Sequence, residues 1–80
     1  MFNVGLSNKA AKQFSKLSKT LKEEYHVLFS ELVYNPFKGK LSENEYHTHV
    51  KYHWVAIWKV DKTKNLVTVT YIGSRENAPY

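Results

Sequence analysis

Hydrophobic residues recur with two different spacings along this chain of 80 residues. At the start, Phe2, Val4 and Leu6 alternate with Asn3 and Gly5, which predicts a short strand. Farther along, the spacing changes to three and four residues, which is typical of the buried face of an α-helix. The pattern therefore predicts a strand followed by helical structure.

Two apolar stripes predict two helices joined by a short turn at residues 18–20. The first consists of Ala10, Phe14 and Leu17, and the second of Leu21, Tyr25, Leu28 and Leu32. Ser7 or Asn8 can cap the first helix through its side-chain oxygen. Thr20 and Glu23 have the spacing of a capping box, so we expect the second helix to begin there.

The second half of the chain predicts a helix end and three strands. Asn35-Pro36 ends the second helix, because the residue before a proline avoids the helical region. "FKGK" follows as a loop. Residues 45–51, 54–60 and 66–73 are rich in aromatic and β-branched residues, and polar turns separate them.

The predicted order β-α-α-β-β-β gives an α+β fold with a single domain, residues 1–80. An N-terminal strand and a helical hairpin precede an antiparallel β-meander. The hairpin should pack both of its apolar stripes on one face of the sheet. We therefore expect the other face to be available for a ligand.

Composition excludes disulfide-stabilised, thiolate-metal and membrane-spanning classes of protein. The chain has no cysteine, which excludes disulfides and thiolate metal sites. Its first residues lack the apolar run of a signal peptide, and no window approaches the roughly 18 apolar residues of a membrane span. We expect a cytoplasmic protein with no membrane partner.

The charge favours an anionic partner. Twelve Lys and Arg residues stand against seven Asp and Glu residues, which gives a formal net charge of +5. A small chain with this balance suits nucleic acid or an acidic protein. Most of the lysines lie in residues 1–40, whereas three of the four histidines lie in the second half.

Those three histidines lie in "YHTHVKYHW", residues 46–54. In a strand, His47, His49 and Lys51 would share one face, with His53 close to them. Three interpretations compete: a solvated face, a metal site based on the His-x-His spacing, or a surface that binds anions and transfers protons. The residues alone leave the three open.

RNA cleavage without a metal would use a surface that binds anions and transfers protons. It requires a base for the 2′-hydroxyl proton, a cation for the charged phosphorane and an acid for the leaving 5′-oxygen. Histidine serves as base or acid near neutral pH. Arg75, the only arginine, follows the last predicted strand and offers a fixed fork for phosphate oxygens. Gly73 would give the chain freedom to turn just before it.

The motifs together resemble the RelE/ParE toxin superfamily of toxin–antitoxin systems. "LSNKAAKQFSKL" resembles the first helix of the family and "LVYNP" the end of the second. "YHTHV", "WVAIWKVD" and "VTVTYIGSRENAPY" resemble its later strands, the last with Gly-x-Arg and a closing tyrosine. The resemblance covers nearly the whole chain and implies the RelE-like fold.

The resemblance also implies a function and a set of residues. RelE-like members are mRNA interferases, that is, endoribonucleases that cleave messenger RNA, often on the ribosome, and a cognate antitoxin holds them inactive. By matching motifs, the catalytic residues would be His47, His49, Arg75 and Tyr80. We expect RNA contacts from Lys38, Lys40, Lys51 and His53. The resemblance implies neither a metal nor a small-molecule cofactor.

One departure from the family pattern keeps alternatives open. The family has Tyr-Arg at the start of its third strand, which corresponds to the predicted strand at residues 54–60. With one extra turn residue, Trp54 takes the place of the tyrosine and Val55 that of the arginine, whereas a gapless alignment puts Trp54 on the arginine. A phosphate-binding cation is therefore missing there. The alternatives are a ParE-like inhibitor of DNA gyrase, which has no chemistry of its own, or a catalytically degenerate member that only binds an antitoxin.

Overall fold

The computed structural model describes all 80 residues, in which five strands form one mixed sheet. The elements are β1 (Asn3–Leu6), α1 (Asn8–Ser15), α2 (Lys19–Tyr34), β2 (Lys40–Ser42), β3 (Glu45–Lys51), β4 (Trp54–Asp61), β5 (Leu66–Ser74) and a 3₁₀ helix (Arg75–Asn77). In space the strands follow the order β1-β5-β4-β3-β2. The α+β architecture predicted from the sequence is confirmed.

The sheet differs from the prediction at its two edges. The first strand pairs in parallel with β5, whereas all other pairs are antiparallel. The segment expected to be only a loop also contributes β2, since Lys40 pairs with His47 across a turn at Glu43. Glu43 has a φ of 57°, the left-handed conformation that such a tight turn needs.

The helices begin and end at clear capping signals. Ser7 caps α1 by accepting a hydrogen bond from the amide of Ala10. Ser18 caps α2 in the same way through the amide of Leu21, so the capping box predicted at Thr20 is wrong. Because α2 begins at Lys19, Thr20 lies within its first turn and not at the cap position. Asn35 ends α2, as predicted.

Both helices pack on one face of the sheet and form the main core. Trp58, Tyr25 and Leu32 are fully buried there, together with the inward residues of β4 and β5. The hydroxyl of Tyr25 donates a hydrogen bond of 2.7 Å to the carbonyl of Val55, which ties α2 to the centre of the sheet. No helix of the structure has the length and apolarity that crossing a membrane requires.

The opposite face of the sheet is covered in part. Val55, Ile57 and Tyr71 form a second buried cluster there, and Ala78 of the C-terminal segment packs on it. The face that was expected to be available for a ligand is therefore only partly available. The C-terminal segment covers the apolar centre, and the edge formed by β2 and β3 stays accessible.

Candidate active site

Alternation along β3 decides which side chains reach the open face. Tyr46 stacks on Trp58 with ring centroids 6.1 Å apart and contacts the main core. Its neighbour His47 therefore lies on the opposite face, and His49 follows two residues later. The sequence pattern thus places both imidazoles on one side of the strand.

A cleft of about 310 Å³ collects most of the expected site residues. Its lining residues are Lys38, Gly39, Lys40, His47, Thr48, His49, Arg75 and Tyr80. All four residues expected to be catalytic are among them, as are two of the four expected to bind RNA. No Asp or Glu side chain lines this cationic cleft, which makes it suited to a phosphate.

A tight loop brings the two lysines to the cleft. The buried indole of Trp58 donates a hydrogen bond of 2.7 Å to the carbonyl of Pro36, which anchors the loop after α2. Gly39 packs against that indole, and a Cβ there would lie 2.7 Å from the carbonyl oxygen of His47. Lys40 is the direct cross-strand neighbour of His47, whereas Lys38 forms an ion pair of 2.7 Å with Glu31.

Arg75 reaches the cleft from the end of β5. Its amide donates a hydrogen bond of 2.7 Å to the carbonyl of His53, which fixes the chain where β4 begins and β5 ends. The guanidinium is exposed, and neither of the two ion pairs in the structure includes it. Arg75 is therefore a free cation at the mouth of the cleft.

Gly73 has a different role from the one expected. None of the glycines has a positive φ, so Gly73 is not needed for a turn. A Cβ at this position would lie 2.7 Å from the hydroxyl oxygen of Tyr71. That hydroxyl donates a hydrogen bond of 2.9 Å to the carbonyl of Ser74. Gly73 makes room for the tyrosine ring beneath the segment that carries Arg75.

His47 has an environment that favours a neutral imidazole. The ring of Tyr80 stacks on it, with centroids 4.1 Å apart and planes 13° from parallel. Burial lowers the pKa of His47, and the positive charges of Lys40 and His49 lower it further. Near neutral pH His47 is therefore unprotonated and able to accept a proton.

The structure leaves two of the expected RNA contacts outside the cleft. A bulge between His49 and Lys51 breaks the alternation of β3. Lys51 consequently does not share the face of the two histidines as expected, and its amine lies 3.9 Å from Glu24 of α2. The side chain of His53 stacks on Trp54 in the turn before β4, with ring centroids 5.5 Å apart.

Trp54 and Val55 stand where the resemblance to RelE/ParE toxins implies an arginine, so this position carries no cation. Trp54 is half-buried and contacts the main core, whereas Val55 is fully buried in the second cluster. His49 pairs with Val55 across the sheet. Val55 therefore contributes no charge beside His49, and Lys40 and Arg75 are the cations that line the cleft without an ion-pair partner.

Sequence reasoning missed one polar residue of the same face. Glu45 lies two residues before His47, and its carboxylate accepts a hydrogen bond of 3.1 Å from the hydroxyl of Thr70 on β5. The period-two pattern that singled out the histidines already included Glu45. No set of three or more His, Asp or Glu side chains is grouped closely enough to hold a metal ion.

Comparison with known proteins identifies the fold. Neither a family model nor a curated protein sequence matches the chain. Among solved structures, the E. coli RelBE toxin–antitoxin complex aligns with a TM-score of 0.84 at 20% identity, over 92% of this chain and 96% of that one. The chain has the RelE fold.

Two further structures agree with this assignment. The RelE–RelB complex of Pyrococcus horikoshii aligns with a TM-score of 0.78 at 14% identity, over 96% of this chain and 98% of its own. The RelBE2 complex of Mycobacterium tuberculosis aligns with a TM-score of 0.75 at 15% identity, over 95% and 93%. In each comparison, the shared fold covers nearly the whole length of this chain and of the aligned chain.

Proposed function

We propose that this RelE-fold protein is the toxin of a type II toxin–antitoxin system and that it acts as an mRNA interferase. The observation that carries the proposal is the cationic cleft, which is lined by His47, His49, Lys40 and Arg75 and by no Asp or Glu side chain. Two imidazoles and a free guanidinium supply the three functions that metal-independent RNA cleavage requires.

In the proposed reaction, His47 takes the proton of the 2′-hydroxyl. Its lowered pKa keeps it unprotonated near neutral pH, which a general base needs. The 2′-oxygen then attacks the adjacent phosphorus, and the bond from phosphorus to the 5′-oxygen breaks. The products are a 2′,3′-cyclic phosphate and a 5′-hydroxyl end.

The other cleft residues have separate roles in this proposal. Arg75 and Lys40 stabilise the additional negative charge on the phosphorane, and Arg75 can do so in a bidentate manner. His49 donates a proton to the leaving 5′-oxygen. Tyr80 keeps His47 partly buried through the stacked rings, and its exposed edge is available to a nucleotide. Lys38 holds the RNA backbone at the rim of the cleft.

Two of the expected RNA contacts have a smaller role in this proposal. Lys51 and His53 do not line the cleft, so in this proposal they contact RNA only where the strand continues beyond it. Neither is required for the chemical step. The message is cleaved either free in solution or on the ribosome, and the same cleft serves both cases.

The proposed partner is a cognate antitoxin with an acidic segment. The net charge of +5 and the unpaired Arg75 favour such a segment across the cleft. Large apolar side chains on α2, Val27 and Tyr34, are 60% and 75% exposed and offer further contact area. Co-purification with the product of a neighbouring small gene tests this, and an isolated gene whose product is tolerated alone at high expression contradicts it.

Induced expression followed by primer extension on cellular messages tests the proposed activity. Wild type should stop growth and produce discrete cuts, whereas Arg75→Ala should do neither. The matched control is Lys64→Ala, which removes a positive charge in the turn between β4 and β5, at the opposite end of these strands. Growth arrest with an SOS response and no cuts would instead favour gyrase inhibition, and the absence of any growth effect would favour a degenerate toxin.

A further inference from the structure

A second cavity adjoins the cationic cleft on the same face of the sheet. It has a volume of about 210 Å³ and is lined by Ser42, Glu43, Glu45, His47, Ile57, Pro79 and Tyr80. His47 and Tyr80 line both cavities, so their stacked rings form the partition between them. A group bound in the second cavity would therefore lie beside a phosphate bound in the cleft.

The chemistry of the second cavity is opposite to that of the cleft. No Lys or Arg lines it, and its carboxylates would repel a phosphate. Pro79 and the ring of Tyr80 are exposed and provide apolar, flat surfaces, whereas Ile57 is almost fully buried and adds little. Such a cavity suits an uncharged planar ring with hydrogen-bond donors on its edge.

Glu45 is held in place to receive those donors. Thr70 donates a hydrogen bond of 3.1 Å to Oε2 of Glu45, and Thr70 lies where the pairing of β4 with β5 shifts register. The other carboxylate oxygen has no partner within the protein. A carboxylate accepts at both oxygens, so Glu45 retains acceptor capacity toward the cavity.

We infer that this cavity is a nucleobase subsite that selects guanine beside the scissile phosphate, with Glu45 as the specificity-determining residue. The inference rests on the proposed RNA cleavage. Guanine presents two adjacent N–H donors, from the ring and the amino group, which match the two oxygens of one carboxylate. Uracil has a single ring N–H and no amino group, so it forms at most one of these hydrogen bonds.

Binding of two short RNA analogues tests the inference without involving cleavage. The 2′-O-methyl trinucleotides UGU and UUU have no 2′-hydroxyl to attack and differ in one base. Wild type should bind UGU roughly tenfold more tightly, which is within the range for one bidentate base contact. Glu45→Gln should abolish the preference, so that UGU and UUU bind with equal affinity, because the amide has only one acceptor oxygen.

Glu23→Gln on α2 is the matched control, since it makes the same change in charge outside both cavities. It should keep the preference for UGU. Equal affinity of wild type for the two trinucleotides, no detectable binding of either, or a preference that survives Glu45→Gln would each overturn the inference. The proposed function is tested separately, by comparing the cleavage of messages by wild type and by Arg75→Ala. A loss of base preference leaves that result unaffected.

Discussion

Replacing Gly39 with alanine should disturb both the core and the cationic cleft. The added Cβ would lie 2.7 Å from the carbonyl oxygen of His47 and 2.7 and 2.9 Å from two ring carbons of Trp58. Neither neighbour can yield cheaply, because one is strand backbone and the other is a fully buried indole. Overpacking of this kind costs about 1–3 kcal/mol of unfolding free energy. In a domain of this size, each kcal/mol lowers Tm by roughly 4–8 °C.

Gly5→Ala is the matched control, because a Cβ at Gly5 meets no atom within 4 Å. Thermal melts of both variants, followed by circular dichroism, should show a clear fall in Tm for Gly39→Ala and an unchanged or slightly raised Tm for Gly5→Ala. Gly39→Ala should also cleave RNA more slowly, since it pushes the loop with Lys38 and Lys40 away from β3. Equal Tm values for the two variants would refute this account of the loop.

Three further predictions concern single side chains. Tyr25→Phe leaves the buried carbonyl of Val55 without its donor, so it should lower the unfolding free energy by about 1–3 kcal/mol in urea denaturation, and an unchanged midpoint would contradict this. With His47 as the base and its pKa lowered from 6.5, the acidic limb of the pH–rate profile should have its midpoint below pH 6.5, whereas an acidic limb centred above pH 6.5 would remove this role. Arg75→Ala should lose about 10²–10³ in rate, and Arg75→Lys should recover only part; full activity of the lysine variant would exclude bidentate phosphate contact.

The sequence pattern predicted the elements well because each depends on local signals. Apolar stripes, the Ser7 cap before α1 and Asn35-Pro36 act within a few residues, and so do the alternating strands. The parallel pairing of β1 with β5 depends on contacts between residues about 60 positions apart, which no local pattern encodes. The short β2 escaped prediction because its three residues form a strand only through pairing with β3.

The site was predictable to the extent that it follows strand alternation. His47 and His49 lie on one face as that rule requires, and Arg75 comes near them because β3, β4 and β5 are neighbours in the sheet. Lys51 departs from the rule because a bulge after His49 shifts the register. A bulge depends on the pairing between two strands, so the sequence of one strand does not reveal it.

The sequence did not predict that the rings of His47 and Tyr80 stack on each other. The two residues are 33 positions apart, and their contact depends on the path of the C-terminal segment over the second apolar cluster. The resemblance placed both residues in the site, but it gave no indication that one would stack on the other. That contact also contributes to the burial that lowers the pKa of His47.

The chemistry of the RNA ends tests the central claim most directly. Purified wild type would be incubated with a defined message, free and bound to ribosomes, in the presence of EDTA where the ribosomes allow it. Attack by the 2′-hydroxyl within the cationic cleft predicts 2′,3′-cyclic phosphate and 5′-hydroxyl ends, which Arg75→Ala fails to produce at a comparable rate. Ends carrying a 5′-phosphate, or cleavage undiminished in Arg75→Ala, would contradict the account.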